Sequence, residues 1–160
     1  MEYLITDKAR EHCKQHFGDS GKSGSKFNTV VFPNLDSILL VIKSIEPKRI
    51  VEQSSGRFAH IYELHGFCGW SGVGKRADYN KIETEIRNGF VTEFAVVETL
   101  PQTRLLTVIS EFTDGVYTLI TLFPGDYAPP FPHDGMVPED KNQAKAYWDK
   151  YVLLKKVILS

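Results

Sequence analysis

Three runs in the second half of the chain most restrict what it can fold into. EFAVVETL (93–100), RLLTVISEF (104–112) and VYTLITLF (116–123) are short, rich in β-branched and aromatic residues, and bounded by turn formers. That combination predicts strands. The connectors are brief, Pro101-Gln102-Thr103 and Thr113-Asp114-Gly115, and an Asp-Gly step is a hairpin signal. Strands joined this closely pair antiparallel, because parallel neighbours need a crossover of a dozen residues or more. RFAHIYELH (57–65) alternates Phe58, His60, Tyr62 and Leu64 against Ala59, Ile61 and Glu63, and supplies a fourth strand with one face better buried.

Helical patterning comes earlier. Thr6 and Asp7 can cap a helix through KAREHCKQHF (8–17), ended by Gly18. Asn34 precedes LDSILLVIKSI (35–45), whose apolar residues at 35, 38, 39, 42 and 45 follow a helical period, and Pro47 stops it. Between them GDSGKSGSKFN reads as a loop. DYNKIETEIRNG (78–89) fits either a short helix or polar connecting structure. After the proline-rich GDYAPPFPHDGMVP, the segment EDKNQAKAYWDKYVLLKKV has acids first and lysines last, as a helix macrodipole favours. The expectation is an α+β fold over a single domain, 1–160. N-terminal helices lead into an antiparallel meander of about four strands, and a closing helix occupies 138–160.

With 160 residues, 42% hydrophobic and 24% charged, the chain can bury an ordinary core. Its net charge of −1 excludes a global basic field, so any polyanion site is a local patch. Cys13 and Cys68 form no disulfide framework and read as free thiols. No apolar run approaches the ~20 residues of a membrane span, and MEYLITDKAREH lacks the regions of a signal peptide. A cytoplasmic chain without membrane contact is expected.

GWSGVGKR (69–76) matches seven positions of the P-loop pattern G-x-x-x-x-G-K-[ST], but Arg76 replaces the hydroxyl residue that holds magnesium. A P-loop also joins the first strand of a parallel sheet to a crossover helix, which an antiparallel meander does not provide. What remains is a glycine-rich turn with two cations, Lys75 and Arg76, suited either to phosphate contact or to a tight surface turn.

His12 and His16 lie four apart, on one face of the first helix. EHCKQH is not HExxH and no further ligands accompany it, so no metal or cofactor is expected. Acid/base chemistry is the functional alternative to a pair of surface histidines. Ser25, with Lys22 and Lys26, can present hydroxyl, backbone N–H groups and charge to a phosphate, or can be a solvated loop. Tyr117, Leu119 and Thr121 are expected on one strand face, where Tyr117 and Thr121 suit a site laid across the sheet.

Three segments together resemble small bacterial ribonuclease toxins of the barnase, EndoU, colicin and RelE-like superfamily. They are AREHCKQHFGDSGKSGSKF, GRFAHIYELHGFCGWSGVGKR, and YTLITLFPGDYAPPFP with its FPG turn, within about residues 6–132. The near-neutral charge and the long C-terminal helix depart from that pattern. The resemblance implies metal-independent RNA cleavage, in which the ribose 2′-OH attacks the adjacent phosphate and leaves a 2′,3′-cyclic phosphate. It implies His16, with His12 as fallback, as acid/base group. Lys26 and Lys75 or Arg76 would balance charge, while Thr121, Tyr117 and Ser25 would position the phosphate. Transfer RNA or ribosomal RNA would be the substrate and an immunity protein the partner, with the chain delivered as part of a larger toxin. A non-enzymatic immunity, antitoxin or RNA-binding protein of the same α+β class is the competing expectation.

Overall fold

A computed structural model describes residues 1–17, 25–53, 56–87 and 89–157. The Lys/Ser loop at 18–24, with Gly18 and Lys22, lies outside the described residues. Along the chain run α1 (Asp7–Cys13), β1 (Lys26–Phe27), α2 (Leu35–Ile42), β2 (Arg49–Glu52), β3 (Arg57–Glu63), β4 (Gly69–Trp70) and β5 (Val73–Lys75). There follow β6 (Glu83–Arg87), β7 (Phe90–Val97), β8 (Gln102–Thr103), β9 (Leu105–Thr113), β10 (Val116–Pro124), α3 (Pro138–Lys150) and β11 (Tyr151–Lys156). The fold is mixed α+β. The chain packs as two compact units, Met1–Ser71 with Gln102–Tyr127, and Gly72–Pro101 with Ala128–Ser160.

In the first unit, β10, β9, β3 and β2 form an antiparallel sheet in that order. Asp114 (φ 53°) and Gly115 (φ 78°) make the two-residue turn between β9 and β10, both in the left-handed region that this hairpin needs. α1 starts at Thr6, whose side chain accepts from the Ala9 amide at 3.1 Å. α2 starts at a capping box in which Asn34 and Ser37 satisfy each other's backbone N–H groups. Ala9 and Cys13 of α1 and Leu35, Ile38 and Ile42 of α2 are buried in one core with Tyr62, Leu106, Val108, Leu119 and Leu122 of the sheet. Each fully buried aliphatic side chain there contributes about 1.5–3 kcal/mol, which is what holds two helices this short.

β10 carries a bulge. Leu119 faces Ser110 and Thr121 faces Ile109, leaving Ile120 as the extra residue. Ser110 and Val108 share one face of β9, so Leu119 and Leu122 both point into the core although three residues apart. The expected common face of Tyr117, Leu119 and Thr121 is therefore corrected: Thr121 sits on the opposite face. A further sheet of the same unit joins β1, β4 and β8 antiparallel. There Gly69 lies so close to β1 that a Cβ would come within 2.2 Å of the Lys26 carbonyl oxygen.

The second unit holds a sheet in the order β5, β11, β7, β6. Two expectations change here. DYNKIETEIRNG contributes a strand, β6, antiparallel to β7. The closing helix ends at Lys150, and Tyr151–Lys156 continues as β11, parallel to β7 and antiparallel to β5. A run such as YVLLKK supports either state locally; pairing with Phe94–Val97 decides it. β7 consequently belongs to this sheet and not to a meander with β9 and β10. Phe131 stacks on Trp148 with ring centroids 4.1 Å apart, and the Trp148 indole donates to the Pro129 carbonyl at 3.1 Å.

Candidate functional site

α1 presents two stripes. Ala9 and Cys13 face the core, while Lys8, Glu11, His12 and Gln15, spaced as one helical face, line a cleft of about 910 Å³ in the first unit. The sheet supplies the other wall through Arg57 of β3 and Glu111 of β9, which are register partners on one face. The bulged Ile120 and the adjoining Leu119 also line the cleft. Lys14, in the 3₁₀ turn Lys14–His16, completes the rim. Three cations, two carboxylates and a histidine thus share one concave surface. Lys14 bonds Glu11 at 2.8 Å, which holds the Glu11 carboxyl below its usual range.

His12 is exposed, and its Nε2 lies 3.2 Å from Gln15 Nε2. The same Gln15 nitrogen lies 3.4 Å from His16 Nε2. His16 turns inward. Its Nδ1 is 2.8 Å from the Ser25 carbonyl oxygen, and its ring packs by Phe123. Because a carbonyl only accepts, Nδ1 carries the proton and donates. Burial is the main cause that lowers the His16 pKa to about 4; Lys26 and His12 add to it, and the Ser25 bond opposes it. His16 is therefore neutral at neutral pH. Lys26 donates to the Gln15 carbonyl at 2.5 Å, meeting an orphan carbonyl at the end of the helical segment. His16, Ser25 and Lys26 together tie β1 to the end of the first helix.

Thr121 approaches from behind. Its hydroxyl is buried against the Cys13 thiol without a hydrogen-bonding partner of ordinary geometry. Tyr117 lies across the sheet, in an aromatic cluster with Phe58, His60 and Phe112. There the Tyr3 hydroxyl bridges His60 Nδ1 at 3.0 Å and the Tyr62 hydroxyl at 2.7 Å. Of the residues singled out in the sequence, His12, His16, Ser25 and Lys26 come together at the end of α1, with Thr121 behind Cys13. Tyr117 belongs to the other face.

Lys75 and Arg76 belong to the second unit. Lys75 is exposed on β5. The Arg76 guanidinium donates to the Trp148 carbonyl at 2.7 and 3.1 Å and pairs with Glu93 at 2.9 Å, capping the last turn of α3. Lys8, Gln15, Arg57 and Glu111 escaped notice in the sequence. The Lys8–Glu11–His12–Gln15 spacing could have revealed the helix wall, whereas Arg57 and Glu111 meet only through strand register. Among the described residues, no group of three or more His, Cys, Asp or Glu side chains could hold a metal ion, and no helix is long and apolar enough to cross a membrane.

No family model matches the chain, and no curated protein matches it. It is similar in fold to a crystal structure of a conserved hypothetical protein from Toxoplasma gondii ME49. The match covers 98% of this chain and 95% of that one, with a TM-score of 0.55 at 9% identity.

Proposed function

We propose that the first unit is a metal-independent endoribonuclease acting at the α1 cleft. The observation that carries this reading is the company His12 keeps: an exposed imidazole beside Lys8 and Lys14, facing Arg57 and Glu111, in a cleft of about 910 Å³. Specific small-molecule sites span about 300–1,000 Å³, so a nucleotide fits. In this reading the Glu111 carboxylate takes the proton of the attacking 2′-OH, and His12 protonates the departing 5′-oxygen. Arg57, Lys8 and Lys14 balance the charge that builds on the phosphorane, and the products are a 2′,3′-cyclic phosphate and a 5′-hydroxyl. His16, Ser25 and Lys26 support this wall and do not touch the substrate.

The test uses end-labelled transfer RNA and ribosomal RNA in EDTA. Wild type is expected to yield cyclic-phosphate ends, while His12→Ala and Arg57→Gln lose at least about 100-fold in single-turnover rate, the usual scale for one acid/base group. Full activity in His12→Ala overturns the assignment. Wild type that binds without product favours the second reading, a non-catalytic RNA-binding or immunity protein. That reading is supported by the two carboxylates among the three cations, which leave the cleft only mildly positive. Expression in bacteria separates an active toxin, which arrests growth unless its cognate inhibitor is present, from a harmless partner.

A further inference from the structure

We propose that Gln15, held by His16, fixes which ring nitrogen His12 turns to the cleft, and that protonation of His12 turns the Gln15 amide over. The chain of constraints starts at a backbone carbonyl. The Ser25 carbonyl oxygen can only accept, so His16 must donate from Nδ1 and present a lone pair at Nε2. The Gln15 atom facing that lone pair must therefore be a donor, the NH₂ group. The same NH₂ faces His12 Nε2, which must then also accept. Neutral His12 consequently carries its proton on Nδ1, and Nδ1–H is the group left for the cleft.

Charging His12 breaks this arrangement. A proton from solvent adds to Nε2, and two N–H groups then oppose one another. Rotating the amide brings Oε1 inward to accept from Nε2–H, but sets Oε1 against the His16 lone pair. His16 stays neutral down to about pH 4, so it opposes the rotation over the whole working range. The charged groups that share the cleft with His12 are Lys8, Glu11 and Lys14 from its own helical segment and Arg57 and Glu111 from the sheet.

The catalytic consequence rests on the proposed cleavage. Imidazolium His12 gives its Nδ1 proton to the 5′-oxygen and is left as the Nε2–H form, bound to the turned amide. Exchange with water, one proton lost from Nε2 and one gained at Nδ1, restores the resting state. Gln15 and His16 are then positioning residues for a proton donor that they do not replace.

The experiment is ring-nitrogen NMR on the full chain labelled with ¹⁵N-histidine and ¹⁵N-glutamine, without RNA. At pH 8 His12 is expected as the Nδ1–H tautomer. On acidification the Gln15 side-chain amide signals should shift in step with the His12 ring. Gln15→Leu should return His12 to the Nε2–H form that an unconstrained histidine favours, with an unchanged far-UV circular dichroism spectrum. Wild-type His12 as Nε2–H at pH 8, or Gln15 signals indifferent to His12 protonation, overturns the proposal even if Gln15→Leu does not fold. Because no substrate is present, a wrong tautomer defeats this inference alone, and a right tautomer without RNA cleavage defeats only the reading of the cleft.

Discussion

Acid should loosen the first unit well before its carboxylates are neutralised, and His16 is the reason. In the fold its pKa falls from 6.5 to about 4, chiefly because burial disfavours the charged ring. The unfolded chain takes up the proton near pH 6.5, whereas the folded chain waits until about 4. Between those values the unfolded state binds more protons, so stability falls as pH falls, beginning near 6.5 and complete near 4. Full use of that gap is worth about 3 kcal/mol, at ~1.4 kcal/mol per pKa unit, and about 2 kcal/mol is already lost at pH 5. His60, also lowered by burial, acts in the same direction. The decisive comparison is His16→Asn, whose amide can keep the donor to Ser25 but does not titrate. Urea denaturation of both proteins at pH 7, 6 and 5 should show the wild type losing ground on the variant by about 2 kcal/mol by pH 5. A gap between the two that is independent of pH refutes the reasoning, as does an NMR titration that puts the His16 midpoint near 6.5.

Three further outcomes are expected. Gly69→Ala should destabilise the first unit by about 1–3 kcal/mol in urea titration, because the added methyl collides with β1 backbone and not with a side chain that can move. Tyr3→Phe should cost about 1–3 kcal/mol by thermal or urea denaturation, since it strips the buried Tyr62 hydroxyl and His60 Nδ1 of a shared partner. Arg76→Gln should speed hydrogen exchange in the last turn of α3 by about tenfold or more, with no rescue by Lys, whose single ammonium lacks the planar fork that spans the Trp148 carbonyl and Glu93; unchanged exchange in that turn removes the capping role.

The elements that could be read from the sequence were those specified locally. Thr6 and Asn34 mark their helices because a cap is a bond between near neighbours, and Asp114-Gly115 marks its hairpin because two positive φ values select those residues. The boundary at Lys150–Tyr151 was not visible, since YVLLKK is compatible with a helix until β7 offers it a ladder. The candidate site divides the same way. His12 follows from helical spacing, but Arg57 joins it only through register across β3 and β9. His16 attracted attention through the same spacing as His12, and tertiary burial gave it a different job. Arg76 stood out as a spoiled magnesium ligand; nothing local shows that a helix end would come to meet it.

The bulge at Ile120 has a consequence for how such a chain can change over generations. On either side of it the strand alternates in opposite phase, so the turn-side half and the Phe123 half are two reading frames joined by one residue. Substitution at any position preserves both frames. Loss of Ile120 alone would leave a regular ladder, with Leu119 still facing Ser110, Thr121 still facing Ile109 and Leu122 still facing Val108. Related chains should therefore be able to lose one residue at this point of β10 and keep every other side chain on its face, a freedom in length otherwise found in exposed loops.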